Sequence, residues 1–133
     1  MAITDIFLRY KKEIETNEKQ RDESLKTHYY KGTVNQIFEK VEKIISNDAD
    51  CTITTISKEH GEIAFEIDKP VACFMVATMV SIKPLETSVD FTISTEKFSL
   101  FGVNPALRKR IISFYDRIDK LHMWIGGNGK ISS

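Results

Sequence analysis

The sequence predicts an α+β fold: an antiparallel sheet of about five strands with a long C-terminal helix across one face, one internal helix after the first strand, and an N-terminal helical arm. Three observations carry this. Val71 to Ile82 runs without a charge, a Gly or a Pro, and both of its alternating faces are apolar, as in a central strand covered on both sides. Four strand-like segments follow one another through turns so short that the neighbours must be antiparallel. Leu107, Ile111, Phe114, Ile118, Leu121 and Ile125 then recur at helical spacing and need a sheet to bury them.

Ile3, Ile6, Phe7, Tyr10 and Ile14 form a helical stripe that ends where Glu15 to Ser24 turns almost wholly polar. This predicts a helix over 3–23, docked by its first turns on its own domain or on another chain. Lys26 to Lys31 reads as a short first strand. Thr33 and Gln36 have the spacing of a capping box, and Val34, Ile37, Phe38, Val41, Ile44 and Ile45 mark the clearest amphipathic helix. Strands are expected at Cys51–Ser57 and Glu62–Ile67, joined by Lys58-Glu59-His60-Gly61, then along the central run, then at Val89–Ser94 with Val89, Phe91 and Ile93 inward. Asn104-Pro105 is expected to open the last helix, Asn as N-cap and Pro at the first helical position. Gly126-Gly127-Asn128-Gly129 is expected to stop it. The implied organisation is an arm over 1–24, one α+β domain over 25–126, and a flexible tail over 127–133.

Composition narrows the function. Nineteen basic and nineteen acidic residues cancel, so no global field recruits nucleic acid or an acidic membrane. No signal pattern or membrane-length apolar run stands out, and the expectation is a cytoplasmic protein whose two cysteines, Cys51 and Cys73, are reduced, buried thiols.

No catalytic, metal or cofactor signature emerges. The histidines at 28, 60 and 122 lack ligand spacing, and the two cysteines lie far from a Cys-x-x-Cys arrangement. Gly126 to Lys130 has the glycines of a phosphate loop but follows a helix and carries Ile131 where a hydroxyl is needed. Arg108, Lys109 and Arg110 offer a contact for an anion or an acidic partner. However, consecutive residues point three ways around a helix, and the favoured reading is a solvated face. Asp90, Thr92 and Ser94 share one strand face and read as its polar, outward side.

Residues 94–111, from Ser94-Thr95-Glu96-Lys97 through Gly102-Val103-Asn104-Pro105 to Arg110-Ile111, resemble the closing signature of an uncharacterised family of small bacterial α+β proteins. The resemblance implies an α+β domain and little beyond it.

The expected function is non-enzymatic: contact with another protein, with self-association as a homodimer or small oligomer. The alternative is a carrier or sensor holding a small apolar ligand between sheet and C-terminal helix, lined by Phe74, Met75, Met79, Phe91, Phe114 and Trp124. A third possibility is an enzyme whose site is assembled in space from His28 or His60 with Cys51, Cys73 or Asp90.

Overall fold

The computed structural model describes the backbone of residues 12–20, 22–69, 72–95 and 103–127, and the side chains of the same ranges except 12–14, 103–104 and 122–127. Strands β1 (Lys12–Glu15) and β2 (His28–Lys31) flank a short 3₁₀ turn at Glu23–Leu25. Helix α1 (Val34–Ser46) follows, then β3 (Cys51–Ser57), β4 (Glu62–Ile67), β5 (Cys73–Lys83) and β6 (Glu86–Thr95). Helix α2 (Val103–Ile118) passes through a π-helical turn at Asp119–Met123 into β7 (Trp124–Gly127).

The strands form one antiparallel sheet in the order β3-β4-β5-β6-β2-β7, with β1 also on β6. Both helices lie on one face, the inner one. Ile37, Phe38, Val41 and Ile45 of α1 and Leu107, Ile111, Phe114, Tyr115 and Ile118 of α2 meet Ile63, Phe65, Met75, Ala77, Met79, Val89, Phe91 and Ile93 of the sheet in one core. The capping box forms as its spacing predicts: the Gln36 N–H donates to Thr33 Oγ1 at 3.2 Å, and the Thr33 N–H donates to Gln36 Oε1 at 3.0 Å.

The central strand is withdrawn from water on both faces over Cys73–Ala77, Phe74 and Val76 on the outer face included, and Thr78 is half-buried. From Val80 onward it leaves the core and all its residues are exposed.

Three expectations are corrected. The helix predicted over 3–23 does not extend through Lys12–Glu15, which pair with Thr92–Thr95 of β6; Ile14 lies opposite Ile93. A four-residue gain of sheet hydrogen bonds outweighs a helical stripe that had run out of apolar residues by Ile14. The stripe residues Ile3, Ile6, Phe7 and Tyr10 lie outside the described residues. At the other end, the helix stops at Ile118, so Leu121 falls in the π-helical turn and Ile125 in a strand; Trp124, Gly126 and Gly127 pair with Tyr30, Tyr29 and His28. Gly127, assigned to a flexible tail, is therefore a sheet residue, while 128–133 lie outside the described residues. The backbone of α2 begins at Val103, so Asn104 falls inside the helix rather than at its cap.

Among the described residues no helix is long and apolar enough to cross a membrane.

Candidate interaction surface

One edge of β6 carries two strands. β1 pairs with its second half, Thr92–Thr95, and β2 with its first, Glu86–Val89, so Asp90 and Phe91 fall in the gap between them. Thr16 fills this gap. Its N–H donates to the Phe91 carbonyl at 2.9 Å, and its hydroxyl oxygen accepts from the Phe91 N–H at 2.9 Å. That hydroxyl in turn donates to Asp90 Oδ1 at 2.7 Å, where the Thr27 hydroxyl also donates at 2.7 Å.

The network crosses the sheet. From α2 on the inner face, the Tyr115 hydroxyl donates to the Val89 carbonyl at 2.8 Å and lies 3.1 Å from Thr16 Oγ1. Asp90, which alternation places on the outer face, is thus linked through Thr16 to a buried tyrosine. Burial raises the pKa of Asp90, the Glu15 and Glu18 charges push it further up, and the Thr27 and Thr16 hydroxyls oppose them.

Asp90 lines an open cleft of about 530 Å³ with Glu15, Asn17, Glu18, Lys19, Thr27, Tyr29, Ser88 and Ile82. The Tyr29 hydroxyl donates to Glu18 across it. The cleft opens beside the apolar end of the β5–β6 hairpin. Val80, Ile82 and Leu85 are 47%, 49% and 57% exposed, although all three are large hydrophobics. Their positions follow from local geometry. Val80 lies opposite Ser88 and so faces outward, and an irregularity in the β5–β6 pairing between Ser81 and Lys83 sits at Ile82. Pro84 and Leu85 occupy the centre of the turn, where Leu85 has φ of +67°. The Gly32 N–H holds the Leu85 carbonyl at 2.7 Å, and Lys83 Nζ lies 4.0 Å from Glu86 Oε2 across the turn.

A second polar cluster sits on the inner face where α2 gives way to the π-helical turn. Asp119 Oδ1 accepts from the Tyr30 hydroxyl at 2.7 Å and lies 3.2 Å from His28 Nδ1. The His28 ring stacks on Tyr115, with centroids 3.7 Å apart and planes 11° from parallel. Burial, with Asp119 beside it, drives the Tyr30 hydroxyl far above its ordinary pKa, so it stays protonated and acts as a donor.

The residues expected at an apolar pocket divide. Met75, Met79, Phe91 and Phe114 belong to one buried cluster, in which the Phe91 and Phe114 ring centroids are 5.7 Å apart and Phe65 meets Phe114 edge-on. Phe74 is on the opposite face of the sheet from these, and the Trp124 side chain lies outside the described residues. Of the basic triplet Lys109 is exposed as a solvated face requires, and the Arg108 side chain is 43% exposed. Arg108 Nε donates to Asp22 Oδ2 at 2.5 Å and its terminal nitrogen to Ser24 Oγ at 3.0 Å, tying α2 to the 3₁₀ turn and holding the Asp22 carboxyl below its usual range. Arg110 is 15% exposed, 3.8 Å from Asp48, which also accepts from Arg117 at 2.9 Å. The solvated reading therefore fails for Arg110, while Arg108 is both solvated and paired; both guanidiniums fasten α2 to loops. The acidic partners Asp22 and Asp48 sit in polar stretches with no periodic signal, so sequence could not have paired them.

Cys51 and Cys73 each lie opposite Ile67, from β3 and from β5, which sets them two strands or about 9.5 Å apart, beyond disulfide reach. Burial pushes both thiols up to about 11. His60 is exposed, with Nδ1 2.8 Å from Ser57 Oγ, and neither it nor His28 is placed against a cysteine by these contacts. The Asp90–Thr16–Tyr115 network was missed because its members are single polar residues on three separate elements. The one available hint was Asp90 interrupting the otherwise uncharged run Thr87–Thr95 of β6.

No family model matches the chain, and no curated protein matches it. Among solved structures, a conserved protein from Geobacillus kaustophilus is similar at 15% identity over 71% of this chain and 91% of its own, with a TM-score of 0.38.

Proposed function

We propose that this protein acts through protein–protein contact rather than catalysis, and that its contact surface is the outer face around the β5–β6 hairpin end and the adjoining cleft. The carrying observation is the exposed trio Val80, Ile82 and Leu85. Large hydrophobics scattered singly on a surface need no explanation, but three within six residues, beside a polar-lined cleft, have the make-up of an interaction site. The cleft walls supply the polar rim. The ligand-carrier alternative needs room between sheet and α2, where Met75, Met79, Phe91 and Phe114 are buried against one another; the outer face is the better-supported choice.

The test is a comparison of the wild-type chain with Ile82→Asp, each tagged and used to retain partners from an extract of the cells that make it, with untagged copies of the same chain also present. Wild type is expected to retain a defined protein, foreign or its own, that Ile82→Asp loses. Thermal stability should stay within about 0.5 kcal/mol because the site is exposed. Identical retention by both proteins would refute the proposal.

A further inference from the structure

Leu85 is the one non-glycine residue with positive φ among the described residues, at +67°. A turn with Pro at its second position favours Gly or Asn at its third, because a Cβ there crowds the following carbonyl. Here the third position carries a branched hydrocarbon, and that side chain does not gain burial in return, since Leu85 is 57% exposed. The backbone around it is fixed: the Gly32 N–H grips its carbonyl at 2.7 Å, and Lys83 and Glu86 close the turn. Strain held this firmly, with no gain inside the molecule, belongs to a side chain whose contact lies outside it.

We infer that Leu85 anchors the interaction surface and that its partner is a second copy of this chain, an inference that rests on the contact reading above. The charges identify the partner. Lys83 and Glu86 flank Leu85 as an adjacent cation and anion, so the rim of the surface is complementary to itself. In a two-fold pairing Lys83 of each copy faces Glu86 of the other, and Leu85 of each packs against Val80 and Ile82 of the other. The chain as a whole carries nineteen charges of each sign, so two copies approach without net repulsion.

Sedimentation equilibrium across the micromolar range tests this, together with thermal unfolding below the association range. Wild type is expected to be dimeric. Leu85→Gly is expected to dissociate at least about tenfold more readily, while its unfolding midpoint rises by about 3–5 °C as the strain is relieved. Lys83→Glu and Glu86→Lys should each weaken association, and mixing the two should restore it, because the mixed pair sets every anion against a cation again. A wild type that stays monomeric overturns the second-copy partner. If Ile82→Asp still loses a foreign protein in the retention assay, the contact reading survives that result. Unchanged association in Leu85→Gly overturns the anchor, and a lowered midpoint overturns the strain argument.

Discussion

Gly61 sits where the β3–β4 turn meets β5, with φ of +66° and its carbonyl accepting from the Met79 N–H at 2.7 Å. Alanine there meets two separate penalties. The left-handed backbone region costs an L-residue about 1–2 kcal/mol. The added Cβ would also stand 2.3 Å from the Met79 carbonyl oxygen, so one of the two backbones must move, straining or breaking a sheet hydrogen bond worth about 1 kcal/mol. Gly61→Ala should therefore cost roughly 2–3 kcal/mol. For a chain of 133 residues that lowers the thermal midpoint by about 7–11 °C. Urea and thermal unfolding of wild type, Gly61→Ala and Gly61→Asn would separate the two penalties. Asparagine tolerates the left-handed region but carries the same Cβ, so it should recover the backbone part of the loss and keep the steric part. A Gly61→Asn variant within about 0.5 kcal/mol of wild type would refute the steric argument, and a neutral Gly61→Ala would refute both.

Tyr115→Phe removes the donor to the Val89 carbonyl and the neighbour of the Thr16 hydroxyl, and should cost about 1–2 kcal/mol by urea unfolding. With Thr16→Val it should form a non-additive pair; strictly additive losses would show that the network across the sheet does not act as a unit. Asp48 responds to acid. Burial pushes its carboxyl up, but the Asp50 N–H and the Arg117 and Arg110 guanidiniums outweigh burial and hold it below 3.8 in the folded chain. The stability it contributes is thus present above the unfolded value, about 3.9, and lost as pH falls through the lower folded one. Asp48→Asn should cost about 2 kcal/mol at pH 7 and approach wild type on acidification, and a gap constant down to pH 2 would contradict this account.

The elements that sequence revealed are those whose apolar period is unbroken and whose ends carry local signals. Val34 to Ile45 with its Thr33–Gln36 box, the β3–β4 hairpin around Gly61, and the doubly apolar run through Phe74 and Met75 all emerge where expected. The two ends of the chain were misread for one reason. Lys12–Glu15 and Trp124–Gly127 take their structure from distant partners, β6 and β2, and short segments hold too few residues for a period to declare itself. The same limit hid the surface. The apolar character of Val80 and Ile82 was legible, but they looked like more of a covered strand; they are exposed at the hairpin end, where Val80 faces outward, away from the helices. Leu85 gave no signal at all, because a positive φ is a property of the folded turn.

The pairing of β7 with β2 has a consequence for biosynthesis. β2 emerges early, and its outer edge is completed only by residues 124–127, which a ribosome working at about 5–20 residues per second delivers roughly 5–20 s later. Through that interval the edge of β2 along His28–Tyr30 is open to any passing strand, and Tyr30 lacks the Asp119 carboxylate that accepts its hydroxyl hydrogen. Helix α2 and its π-helical turn must arrive first, since they carry Asp119 and aim the strand that follows. The nascent chain is thus most open to mispairing while its sheet is one strand short, and the turn at Asp119–Met123 times the end of that exposure.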